Sequence, residues 1–254
     1  MEKEIISSID RALEILMLLY QEERELGVTE IAKGLKLHKS TVHRTLITLE
    51  NRGFIQKNEQ NERYWLGVKL YALGMMVGDK LPLTQIIKPF AEKLSNKFGQ
   101  TVNVSVLDYK NSDYPKTILI LKEEPDGEMK VNPKLGSSSE SHYSAVGKCL
   151  LAYVENDVLD KFKGKDLPVY TSNTISSWEE LQKALSMVRM NGYAIDDEEV
   201  EVGFTCVASP IIDKNGEAIA AISISGKTED IRSDFELIVR EVKGTAGQIS
   251  SLLK

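Results

Sequence analysis

"GLKLHKSTVHRTLITLENRGF", Gly34 to Phe54, is the stretch that decides the fold. Val42, Leu46 and Leu49 form one apolar stripe of a helix running from about Lys39 to Arg52. Gly53 ends it, since glycine adopts the left-handed conformation that closes a helix. The opposite face carries Ser40, Thr41, Arg44 and Thr48, with His43 at its flank. Short hydroxyl side chains beside one long guanidinium suit a helix that lies deep in the major groove of DNA, with Arg44 reaching a guanine edge or a phosphate.

The flanking sequence supports that reading. Ser8 to Tyr20 places Ile9, Ala12, Leu13, Leu16, Leu19 and Tyr20 on one helical face, and Gly27 breaks the pattern. A short second helix follows, with Thr29 as its N-cap and Ile31, Ala32 and Leu35 inward. The tight connection "KLHK" leads into the third helix. Beyond it, "FIQKNEQNERYWLG" reads as two short strands around the polar turn Asn58 to Glu62. Three helices and a β-hairpin predict a winged helix-turn-helix over residues 1–67. "VKLYALGMMVG", Val68 to Gly78, is too apolar for an uncovered surface helix, so residues 68–81 read as a linker helix that also dimerises. Pro82 marks the next boundary.

Residues 82–254 mix helices and strands and read as an α+β ligand-binding domain. Leu83 to Phe98 is amphipathic, with Pro89 in its first turn or kinking it. "TVNVSVLDY" and "KTILILKEE" read as strands, and "SAVGKCLLAYV", Ser144 to Val154, as a helix. Ser177 and Glu180 form a capping box that opens a helix to about Met190. "GYAID" is a short strand. "TCVASPIIDKNGEAIAAISISG" is a hairpin turning at Asp213 to Gly216, and a last helix begins near Asp234.

The 254 residues allow one large or two modest domains, each with a core. Two cysteines make no disulfide framework and fit a reducing cytosol. No apolar run spans a bilayer and no signal-peptide pattern opens the chain, so the expectation is a cytoplasmic protein with no membrane partner. The net charge of −6 argues against DNA only on average. From Lys36 to Lys69, seven cations face three anions. Local charge decides where a polyanion docks. The candidate DNA contacts are therefore Lys39, Ser40, Thr41, His43 and Arg44 at the third helix, Lys57 and Arg63 on the hairpin, and Arg11 on the first helix. The amide groups and positive dipole of a helix N-terminus add a phosphate site.

These pieces together resemble the IclR family of bacterial transcription regulators. The resemblance rests on "SIDRALEIL", "VTEIAKGLKLHKSTVHRTLITLENRGFI" and "YWLGVKLYALG", then on "SAVGKCLLA" and "GYAIDDEEVEVGFTCVASPIIDKNGEAIAAISISG", and covers nearly the whole chain. It implies a winged helix-turn-helix joined through a linker helix to a GAF-like α/β effector-binding domain. It implies homodimers, or dimers of dimers, on double-stranded operator DNA. It further implies small organic molecules as effectors, and the expectation for this chain is a repressor controlled by a small acidic metabolite, a small organic acid or sugar acid. In family members that bind small carboxylates, the matching positions here are Asp196, Phe204, Cys206, Ser223 and Ser225, with the amides of Ala145 and Val146 closing the site. The residues alone are consistent with this, because Ser223 and Ser225, like Phe204 and Cys206, share a strand face. One departure stands out. Where the family carries Pro-Leu-His or similar, this chain has Glu140-Ser141-His142, expected at the lip of the pocket and favouring a more polar effector such as a sugar acid.

Rival readings are weaker. Cys206 could serve as a redox or nucleophilic cysteine with His142 as its base. Ser144 and Lys148 stand four apart like a Ser/Lys nucleophile pair, although Lys148 more readily binds a neighbouring loop. Two cysteines and three histidines lie scattered, without zinc-like spacing, so neither metal nor cofactor is expected. A pure protein-interaction module would leave the basic segment unexplained.

Overall fold

The computed structural model describes residues 6–79, 82–109, 114–125 and 133–253. The chain divides into two compact units, Met1–Leu81 and Pro82–Lys254.

The first unit holds α1 (Ser7–Glu22), α2 (Val28–Gly34), α3 (Lys39–Asn51), β1 (Ile55–Lys57), β2 (Tyr64–Leu66) and α4 (Val68–Asp79). Ile15 and Leu19 of α1, Ile31 of α2, and Val42, Leu46 and Leu49 of α3 close one core over Ile55 and Tyr64 of the antiparallel hairpin. Each such side chain contributes roughly 1.5–3 kcal/mol when withdrawn from water. Gly53, at φ 74°, takes the left-handed turn that lets the Phe54 amide bond the Leu49 carbonyl at 2.9 Å. Thr29 does not cap α2. The N-cap is Gly27, and its amide donates to Glu30 Oε2 at 2.9 Å, fixing the helix start before Thr29. Nor is α1 apolar on one face only. Ile9 and Leu13, expected in the core, are exposed with Ile6 and Met17, so a second stripe runs beside the buried one. The α4 side chains Val68, Tyr71 and Met76 are exposed as well.

The second unit opens with α5 (Pro82–Phe98), β3 (Thr101–Asp108), β4 (Lys116–Glu123), β5 (Ser138–Glu140) and α6 (Ala145–Leu151). It continues with α7 (Asn156–Leu159), a 3₁₀ turn (Asp160–Phe162), α8 (Trp178–Asn191) and β6 (Ala194–Asp197). It ends with β7 (Phe204–Ile212), β8 (Ala218–Lys227), α9 (Thr228–Ser233) and α10 (Phe235–Leu252). The six strands make one antiparallel sheet in the order β5-β4-β3-β8-β7-β6.

Alternation along the strands gives each face its own core. Val102, Val104, Val207, Ile222 and Ile224 pack on α5 and α10 through Ile87, Leu94, Ile238 and Val242. Ala194, Ala208 and Ala221 on the other face leave room for α6 and α8, which bring Cys149, Leu181 and Leu185. Small strand residues there let helices approach and leave the adjoining polar part of that face uncovered. Pro89 stands inside α5, well past its first turn. The α8 cap is reached differently from a reciprocal box. Ser177 Oγ accepts the Glu180 amide at 3.2 Å, but Glu180 Oε2 accepts from Ser176 at 3.0 Å, one residue upstream.

Candidate functional site

Sheet register assembles a polar patch on the α6 side of the sheet. Asp196, Cys206, Ser225 and Thr101 form one cross-strand row, and Ala208, Ser223 and Asn103 form the next. The patch borders a cavity of about 350 Å³. Asp196, Phe204, Cys206, Ser223 and Ser225 all line it, as do Ala145 and Val146 from the first turn of α6. The structure thus brings together every residue singled out for effector contact, although they come from β6, β7, β8 and a helix far apart in sequence.

The start of α6 is built for close approach. Ser144 is the N-cap and accepts the Gly147 amide at 3.1 Å. A Cβ at Gly147 would collide with the Ser141 backbone, so only glycine lets this helix settle there. First-turn amides have no intrahelical acceptor, and Ala145 and Val146, which carry two of them, line the cavity.

Three charged groups gather behind the cavity. Lys148 of α6 and Glu199 of the β6–β7 connection form a buried ion pair. Asp196 Oδ1 accepts the Glu199 amide at 2.8 Å. The hydroxyls of Thr171 and Thr174 donate to the Glu198 and Glu199 carbonyls at 2.7 and 2.5 Å. Burial pushes the Asp196 carboxyl up to about 7, against the hydrogen bond from the Glu199 amide and the Lys148 charge. Burial also raises the Glu199 carboxyl, with Lys148 opposing. Lys148 therefore does bind a neighbouring loop, and it is no partner for a Ser144 nucleophile.

The polar lip expected from Glu140-Ser141-His142 is absent. Ser141 and His142 are buried: Ser141 Oγ donates to the Pro115 carbonyl at 2.6 Å, and His142 Nε2 lies 2.9 Å from the Pro168 carbonyl. Neither lines the cavity; Tyr143, stacked edge-on against both His142 and Tyr170, does. Burial pushes the Tyr143 hydroxyl up to about 12 and lowers the His142 imidazole. Burial, then the nearby Asp196 charge, raises the Cys206 thiol, the reverse of what a nucleophilic or redox cysteine needs. Among the described residues no three His, Cys, Asp or Glu side chains gather to hold a metal ion.

Polar lining that the motif reading passed over comes from β3, β4, β5 and the residue just before β5: Asn103, Ser105, Thr117, Ser139 and Ser137. Its only signal was the alternation in "TVNVSV", which places Asn103 and Ser105 on one face without saying which.

In the first unit, Lys39, Ser40, His43 and Arg44 are exposed along α3, while Thr41 and Arg11 are half-buried. His38, at the N-cap, adds no side-chain hydrogen bond to the first turn, which holds no acidic residue. Ile47, one turn beyond His43, is also exposed and was not singled out in the sequence. The hairpin cations are less free than expected. Lys57 pairs with Glu62 at 3.1 Å, and Arg63 bonds the Glu25 carbonyl at 3.0 Å and Glu30 at 3.2 Å. Contact with a phosphate would exchange these pairs, which at such exposure cost little to break.

A basic helix-turn-helix with its wing, followed by a mixed domain with a partly open cavity of polar and apolar lining, defines a two-domain bacterial transcription regulator. The family described as "IclR helix-turn-helix domain" matches residues 8–59, and "Bacterial transcriptional regulator IclR C-terminal" matches residues 75–251. The chain belongs to the IclR family. It is 35% identical to the HTH-type transcriptional regulator XynR of Escherichia coli, over 92% of this chain and 90% of that protein. It is 31% identical to the transcriptional repressor IclR of the same organism, over 90% and 83%. The crystal structure of a regulator from Alicyclobacillus acidocaldarius superposes with a TM-score of 0.82 at 28% identity, covering 99% of this chain and all of that one. Families and relatives alike are transcription regulators and not enzymes. No helix among the described residues is long and apolar enough to cross a membrane.

Proposed function

We propose that this regulator is a homodimeric repressor whose operator affinity is set by a small organic acid held in the cavity of the second unit. The observation that carries the effector reading is the cavity itself. One wall offers the first-turn amides of Ala145 and Val146 and the hydroxyls of Ser223 and Ser225. Those donors suit a carboxylate. Asp196, close to half-protonated near neutral pH, can accept from a ligand hydroxyl or donate to a keto oxygen. Phe204 and Cys206 supply apolar contact.

Residues 1–67 serve as the DNA-binding domain, 68–81 as the linker and 82–254 as the effector domain. On α3, Ser40, Thr41, His43 and Arg44 read base edges, and Ile47 meets a thymine methyl. Lys39 and the uncapped first turn hold a phosphate, with Arg11, Lys57 and Arg63 as further phosphate contacts. The relative named as a repressor supports the sign of control. The exposed stripes of α1 and α4 support pairing with a second copy, as two half-sites require. The effector acts by binding better to one arrangement of the paired DNA-binding domains than to the other.

The test begins with thermal-shift screening of the whole protein against short hydroxy and keto acids, and with an operator selected from random duplexes. Ser223→Ala combined with Ser225→Ala should weaken the best acid about tenfold or more, the loss of hydrogen bonds to a charged group. The response on the operator should disappear while ligand-free DNA binding persists. A response that survives the double variant rejects the cavity.

A further inference from the structure

The charges of the buried cluster behind the cavity do not cancel. Lys148, 3% exposed, is committed to Glu199, 7% exposed, by their ion pair. Asp196, 4% exposed, lines the cavity and forms no ion pair among the described residues. Its Oδ1 is held by the Glu199 amide at 2.8 Å. With both carboxylates ionised, one cation serves two anions. The surrounding elements do not make up the difference. On β7, Cys206 sits opposite Asp196, and burial keeps its thiol neutral. In the segment before α6, burial lowers the His142 imidazole and raises the Tyr143 hydroxyl, so both are neutral as well. The α8 residues beside Ala194 and Ile195 of β6 are Ala184, Met187, Val188 and Asn191, none of them charged. Asp197, next on β6, points to the other face and pairs with Arg232 at 2.9 Å. Toward solvent, the exposed Lys227 is outnumbered by the exposed Glu201 and Asp230.

An acid bound in the cavity brings one more negative charge against this cluster. Two carboxylates at close range are not both kept ionised in a buried place, and a proton is what relieves them. Geometry decides where it goes. Glu199 does not line the cavity, and its Oε1 is engaged by Lys148. Asp196 stands at the wall itself. We infer that the effector binds together with one proton, taken up from solvent by Asp196, so that the regulator responds to pH as well as to the acid. The inference rests on the carboxylate reading of the cavity, and it concerns the charge of the ligand whatever its other groups are. No bond of the ligand forms or breaks: one proton passes from water to the Asp196 carboxyl, which then donates to the bound anion where an ionised carboxyl would repel it. Burial has already brought this carboxyl close to taking up a proton at neutral pH, so the coupling acts in that range. At lower pH the proton is in place before the acid arrives. At higher pH it must be acquired on binding, and affinity falls.

The experiment is calorimetry of the full-length protein with lactate, 2-oxobutyrate and butyrate from about pH 6 to 8.5, in buffers of low and of high ionisation enthalpy, which gives affinity and proton count together. The tightest of these acids should reach a plateau of affinity at the low end. Above neutrality it should weaken about tenfold for each pH unit, with uptake approaching one proton per acid. Asp196→Asn should abolish the uptake and level the affinity across the range. Glu199→Gln leaves Lys148 to Asp196 alone, so the plateau should end at a lower pH than in the parent protein, a shift that a purely structural role of Glu199 does not produce. Should Asp196→Asn fail to fold, the proton count of the parent protein and the Glu199→Gln shift decide the matter. Binding with no proton exchange at any pH, or uptake unchanged by Asp196→Asn, overturns this inference alone. If no acid binds at any pH and the Ser223/Ser225 double variant changes nothing, the cavity reading fails and this inference with it.

Discussion

Asp196 shows how one residue's chemistry is made by its surroundings. In sequence it is one acid in the run "DDEEVE". In the fold it is buried beside the Lys148–Glu199 pair, with its titration near 7 and not near its ordinary 3.8. The folded state therefore holds a proton that the unfolded chain releases between those two values. Stability must fall as pH rises through that window, by an amount on the order of 4 kcal/mol at most. Asp196→Asn keeps the oxygen that accepts the Glu199 amide and removes the charge. It should flatten the pH dependence of the effector-unit melt between about pH 4 and 7 and raise the melting temperature above pH 7. An unchanged slope would assign the titration to Glu199.

At the scale of elements, α3 and α6 use their first turns in comparable ways. Each presents amides where an anion is expected, and each is held by apolar residues behind it: Val42, Leu46 and Leu49 for α3, Cys149, Leu150 and Leu151 for α6. The stripe of α3 was legible because its repeat is helical and its polar face is uniform. Arg44→Ala leaves that stripe intact, so it should weaken the selected operator about tenfold or more, the roughly 1–3 kcal/mol of a base-edge contact. Effector affinity, measured by calorimetry, should stay the same. Equal loss on operator and on random DNA would make Arg44 a phosphate contact only. The α1 helix was only half legible: Ile9 and Leu13 satisfy a helical repeat as well as Ile15 and Leu19 do, and periodicity does not say which stripe the neighbours cover.

For the whole molecule, the net charge of −6 coexists with a basic segment from Lys36 to Lys69, because the first unit is neutral as a whole and the surplus of acid lies in the second. The exposed α1 stripe, Ile6, Ile9, Leu13 and Met17, is the kind of surface that a second copy covers. Leu13→Glu with Met17→Glu should therefore convert the proposed dimer to a single chain in sedimentation velocity at micromolar concentration. Operator affinity should fall with it, since each half-site is then held alone. A variant that remains dimeric would move the interface elsewhere, with α4 the next surface to test.

By itself the sequence determined the local elements, the basic helix-turn-helix and the family. Each of these follows from spacing along a few turns of chain or from motifs in a fixed order. It also named, through that resemblance, residues that line the cavity. Only the tertiary structure decided that Ser141 and His142 turn inward, that Arg63 is held by Glu25 and Glu30, and that Asn103 and Ser137 carry unpaired oxygens beside the cavity. The physical reason is that burial and pairing depend on cross-strand register between segments over a hundred residues apart, such as Asn103 with Ser223. No periodicity within either segment records that register.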